Sequence, residues 1–83
     1  EMKPPAQKKK IDYAALNSPF MRIQGMRVEG ARALLDLKFR ETYQLRGRAP
    51  EAMFDELSKI RIKAPDPEIL KYFKLAVEFA EKE

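Results

Sequence analysis

Apolar residues recur at helical spacing along most of this chain, and nowhere does a long enough run alternate with period two. Ile69, Phe73, Ala76, Val77 and Ala80 form one continuous stripe, and Met53, Phe54, Leu57 and Ile60 a second. Val28, Ala31, Leu34 and Leu35 mark a third. A stripe of this period buries one face of an α-helix, whereas a half-buried strand needs strict alternation. The chain is therefore expected to be all-α. Its punctuation agrees. Asp66-Pro67-Glu68 is the clearest helix start, with a capping carboxylate, proline at the first helical position and acid in the first turn. Pro50-Glu51 opens another helix and Ser18-Pro19 a third, while Thr42 is placed to cap a single turn carrying Tyr43 and Leu45 before Gly47. Tyr13, Leu16 and Phe20 give a first helix its apolar footing. Short helices with short connections imply a compact two-layer bundle.

One turn in that bundle carries chemical interest. Gly25 sits between Ile23 and Met26, ahead of the helix spanning roughly 28–37. Glycine allows a sharp reversal there at little steric cost. A tight hairpin leaves backbone N–H groups free at the start of the second helix, and such groups can hold a phosphate. The candidate binding residues are Gly25, Met26, Arg27, Val28, Glu29, Gly30, Arg32 and Lys38. The plainer reading of each basic residue is a solvated surface charge, and of Gly25 a simple connector.

The net charge of +4 is unevenly spread: +3 over residues 1–24, +3 over 25–49 and −2 over 50–83. The half holding the hairpin is thus the half suited to an anionic partner. Residues 1–12, with Pro4-Pro5 and Lys8-Lys9-Lys10, read as a flexible basic tail before a domain at 13–83. Without cysteine there is no thiol nucleophile, disulfide or zinc-thiolate site, and without histidine the usual general base and metal ligand are missing. Asp55 and Glu56 are neighbours that do not share a helix face. Ser18, Thr42 and Ser58 have no base to activate them. No catalytic or metal residue is expected, and the chain is not expected to be an enzyme. No apolar run spans a bilayer, and the polar, basic start reads as no signal peptide; the expected setting is the cytoplasm.

Taken together, Ile23-Gln24-Gly25-Met26, Gly30-Ala31-Arg32-Ala33-Leu34-Leu35 and Thr42-Tyr43-Gln44-Leu45-Arg46-Gly47-Arg48, with Ala49-Pro50-Glu51 and Asp66-Pro67-Glu68-Ile69-Leu70, resemble the small bacterial helix-hairpin-helix proteins labelled pathogenicity-locus or mitomycin-resistance proteins. The resemblance covers roughly residues 13–81. It implies a five-helix, doubled helix-hairpin-helix, SAM-domain-like bundle, with a second hairpin at 61–65. It implies binding of nucleic acid without sequence preference through the first hairpin, and allows a monovalent cation on hairpin carbonyls. The pattern departs in four places. Arg27 stands where a second glycine is usual, Lys38 where glycine often ends helix two, and Ala49 where an acid usually caps the next helix. The second hairpin has no glycine. Lys38 is therefore expected in a left-handed conformation. A protein-interaction module on a degenerate version of the scaffold is the alternative function.

Overall fold

The computed structural model describes residues 11–83, and among these the chain is all-helical. Four α-helices run Tyr13–Leu16 (α1), Val28–Asp36 (α2), Pro50–Ile60 (α3) and Glu68–Glu81 (α4). Two 3₁₀ turns, Pro19–Arg22 and Thr42–Leu45, lie between them. The expected first helix is thus divided: α1 is a single turn, and Pro19 starts a separate 3₁₀ turn after Ser18. Proline disfavours helical geometry in the residue before it, and Ser18 is extended (φ −76°, ψ 156°). The five helices expected become four α-helices and two 3₁₀ turns. The tail read over residues 1–12 lies outside the described residues except for Ile11 and Asp12.

α4 is the organising element. It packs against α3, α2 and the second 3₁₀ turn, while α1 rests on α2. Phe20, Leu34, Leu45, Met53, Leu57 and Phe73 are fully enclosed between these elements. Each such side chain contributes about 1.5–3 kcal/mol by leaving water. Tyr13 and Leu16 do not join them; both are exposed, and α1 buries only Ala15. Ala31, Ala33, Ala76 and Ala80 keep the helices close. The closest approach is at Gly30, where an added Cβ would lie 2.6 Å from the Tyr72 Cβ and from the Met26 sulfur. Gly30 is therefore glycine because α2 meets α4 there.

The helix ends follow local chemistry. α2 ends in a Schellman motif: the Lys38 amide donates to Leu35 O (2.9 Å) and the Phe39 amide to Leu34 O (3.1 Å). Lys38 supplies the left-handed residue, with φ +76°, as its position implies. Leu34 and Phe39, both buried, complete the motif's hydrophobic contact. Asp66 caps α4 through Oδ1, which accepts from the Glu68 amide at 2.9 Å. Ala49 precedes α3 in an extended conformation and gives no side-chain cap. At the second 3₁₀ turn the expected role of Thr42 is taken by its neighbours. Glu41 occupies the N-cap position, and Gln44 Oε1 accepts from the amides of Arg40 (2.7 Å) and Glu41 (2.8 Å). Thr42 is instead buried and donates to the Glu83 carboxylate. Arg46 Nε donates to the Ala80 carbonyl at 3.1 Å, and the Gly47 amide to Glu81 at 2.6 Å, so the connector clasps the end of α4.

Candidate nucleic-acid interface

The first hairpin is a four-residue turn, Ile23 to Met26, closed by the Met26 amide donating to Ile23 O at 3.0 Å. Gly25 has φ +90° while Gln24 has none of the positive-φ character a mirror-image turn needs, so the pattern is type II. The turn joins a 3₁₀ turn, rather than a full α-helix, to α2. Gly25 packs against Leu75, whose Cδ1 would lie 3.3 Å from an added Cβ. The hairpin is thereby seated on the second half of α4.

Arg27 adopts φ −115°, ψ 166° at the N-cap of α2. That is extended backbone open to any residue, so the arginine brings no strain at the position where a second glycine is usual. Its carbonyl accepts from the amides of Gly30 (3.0 Å) and Ala31 (3.1 Å). The Val28 and Glu29 amides have no acceptor among the described residues, as expected for the first turn of a helix. The Met26 amide is occupied by the turn itself. Of the amides at 26–29, then, those of Arg27, Val28 and Glu29 have no acceptor among the described residues.

The basic candidates separate into two groups. Arg27 is exposed and pairs with no carboxylate among the described residues, and the same holds for Arg22 on the preceding turn. Arg32 is committed elsewhere. Its Nε and Nη2 donate to the two Asp12 oxygens at 2.7 and 2.8 Å, and Nη1 donates to Asp36 at 3.2 Å. The Arg32 guanidinium, with help from the Ala15 amide, holds the Asp12 carboxyl down at about 2. The two carboxylates in turn raise the Arg32 pKa. Asp36 also accepts from Arg61 Nη2 at 3.0 Å. This network ties α1, α2 and the segment after α3 together. Lys38 lies at the far end of α2, away from the hairpin. Arg46 is engaged with Ala80 and Glu83, and the Arg48 guanidinium carbon sits 5.1 Å from the centre of the Phe39 ring.

Beside the hairpin is an open groove of about 350 Å³, lined by Ile23, Leu75 and Phe79 together with Gln24, Glu78 and Lys82. Glu29 and Glu78 temper the positive charge of this side. A second, more polar cleft of about 460 Å³ lies by the end of α2, lined by Arg32, Asp36, Lys38, Arg40, Ile60 and Arg61 among others. The sequence pattern singles out Lys38 and Arg32 but not Arg40 or Arg61. Arg61 reaches the site through a contact with Asp36 across 25 residues, which no local pattern signals. No group of three or more Asp or Glu that could hold a metal ion occurs among the described residues, and no described helix is long and apolar enough to cross a membrane.

Residues 15–83 match the family model described as "Pathogenicity locus" (Cdd1). The match takes in α4, α3, α2 and both 3₁₀ turns, and the chain belongs to that family. No curated protein and no solved structure gives a significant match.

Proposed function

We infer that this chain binds nucleic acid through backbone phosphates, without sequence preference, using the first hairpin of a doubled helix-hairpin-helix, SAM-domain-like scaffold. The observation that carries the reading is the start of α2. A type II turn at Gly25 leads into the acceptor-free amides of Val28 and Glu29, with exposed, unpaired Arg22 and Arg27 nearby in the chain. Amides in the first turn of a helix, together with the positive end of its dipole, suit a phosphate oxygen. Phosphate contacts position a protein on the nucleic acid and carry no base information. A monovalent cation on the hairpin carbonyls belongs to the same reading, and exchanging potassium for tetramethylammonium at constant ionic strength tests it. The role is one of binding rather than catalysis.

The test is anisotropy of labelled duplexes of unrelated sequence. All should bind alike, with affinity falling as salt rises. Arg27→Glu should weaken binding to every sequence and leave helicity intact. Arg32→Glu is unsuitable, because it would place a carboxylate between Asp12 and Asp36. Absence of binding at low salt, where such contacts are strongest, would sink the reading.

A second reading rests on a different surface. Ile60 is 54% and Ile62 fully exposed, close in sequence at the end of α3, and Tyr13 on α1 is 64% exposed. Large apolar side chains left in water favour a protein partner. On this reading Ile62→Asp lowers self-association in sedimentation velocity and leaves DNA affinity unchanged. Identical sedimentation of parent and variant over a wide concentration range would count against a self-associating surface there.

A further inference from the structure

The cleft at the C-terminal end of α2 has more positive charge than its own ion pairs consume. Four cations, Arg32, Lys38, Arg40 and Arg61, line it together with the single carboxylate of Asp36. Asp12 clamps Arg32 from the side. After both aspartates are counted, two positive charges are left over. They are carried by Lys38 and Arg40, which are exposed and form no ion pair among the described residues. Arg61 spends one nitrogen on Asp36, leaving the rest of its guanidinium to donate.

Lys38 adds a second, independent observation. It holds the left-handed position of the Schellman motif at φ +76°, where glycine is the residue without penalty. A side chain kept at a position that favours having none is a pointer to a use for that side chain. The negative end of the α2 dipole would ordinarily repel an anion here. Three of its last carbonyls are already occupied: those of Ala33, Leu34 and Leu35 accept from Leu37, Phe39 and Lys38. Asp36 is neutralised by Arg32 and Arg61.

We propose that this cleft is a second phosphate contact for the nucleic acid, made by Lys38 and Arg40 with Arg61 behind them. The inference rests on the reading given under Proposed function and extends it from one contact point to two. α2 spans nine residues, so its ends are about 13 Å apart. One strand of a duplex presents a phosphate every ~3.4 Å of axis. With α2 parallel to the duplex axis, its two ends would thus be about four phosphates of one strand apart in axial rise.

The test uses the full chain, a short labelled duplex and three variants: Lys38→Gly, Arg40→Gln and the two combined. Lys38→Gly removes the positive-φ penalty, so it should melt at or above the parent temperature while binding more weakly. The double variant should lose roughly tenfold or more in affinity at low salt, and its log–log salt slope should shrink by about two. Arg27→Gln serves as the hairpin control. Parent and double variant with the same affinity and slope, while Arg27→Gln weakens binding, would overturn the cleft and leave the hairpin standing. A parent that does not bind DNA at low salt overturns both. Polyglutamate that displaces the duplex as well as unlabelled DNA of equal charge would also overturn the phosphate assignment, in favour of an acidic protein partner.

Discussion

Gly47 and Gly30 depend on their surroundings in different ways. Gly47 has φ +73° with open space around it, so Gly47→Ala meets only backbone strain, about 1 kcal/mol. Gly30 has ordinary helical backbone, yet an added Cβ there would run into Tyr72 and Met26. Gly30→Ala should cost more, about 1–3 kcal/mol, and urea unfolding of both variants should give that order. The Arg32 network supplies a pH-dependent prediction of definite sign. Asp12 titrates near 2 in the fold against an ordinary value of 3.8. A carboxylate with a depressed pKa stabilises the fold above its unfolded value, and this stabilisation is lost as pH falls through the folded value. Between about pH 4 and pH 2 the parent should therefore lose stability more steeply than Asp12→Asn. Equal slopes in urea unfolding across that window would mean that the Asp12–Arg32 bridge does not persist in solution.

At the level of elements, what is legible in the sequence is whatever local chemistry decides. The period of α2, α3 and α4, the cap at Asp66, the turn at Gly25 and the left-handed Lys38 all depend on residues within a turn or two of each other. The division of the first helix at Pro19 is only half legible, because Ser18-Pro19 reads equally well as punctuation inside one element. Thr42 has the residue type of a cap, but its hydroxyl is taken by Glu83, 41 residues away. The candidate site divides the same way. The hairpin is visible from a glycine, whereas the commitment of Arg32 to Asp12 and the approach of Arg61 to Asp36 depend on how helices pack. Ala49 offers the complementary experiment. It stands extended at the N-cap of α3 with no side-chain acceptor, so Ala49→Asp should add about 0.5–1 kcal/mol. Removing the central contact of α4 should do far more. Phe73 is fully buried, and Phe73→Ala should cost about 3–5 kcal/mol. A thermal midpoint within a degree or two of the parent would mean that α4 does not close the core.

For the molecule as a whole, shortening the chain separates what the fold needs from what the proposed binding would use. Among the described residues every core side chain falls between Ala15 and Ala80, and the first ion pair that ties the helices together begins at Asp12. A chain starting at Ile11 keeps all of these groups. It should unfold at the same temperature and with the same denaturant slope as the full chain, since the slope follows the surface exposed on unfolding. Binding should respond otherwise. Removing residues 1–10 takes away Lys3, Lys8, Lys9 and Lys10 and one carboxylate, Glu1, so the net charge falls from +4 to +1. Each phosphate no longer neutralised lowers the log–log salt slope by about 0.9 on duplex DNA. If the three consecutive lysines reach phosphates, the shortened chain should bind more weakly at low salt and show a slope smaller by about two to three. Its affinity should approach that of the full chain as salt rises and these contacts are screened. An unchanged slope would confine the binding charge to residues 11–83, at the hairpin and the end of α2. A lowered melting temperature would show instead that residues 1–10 contribute to the fold.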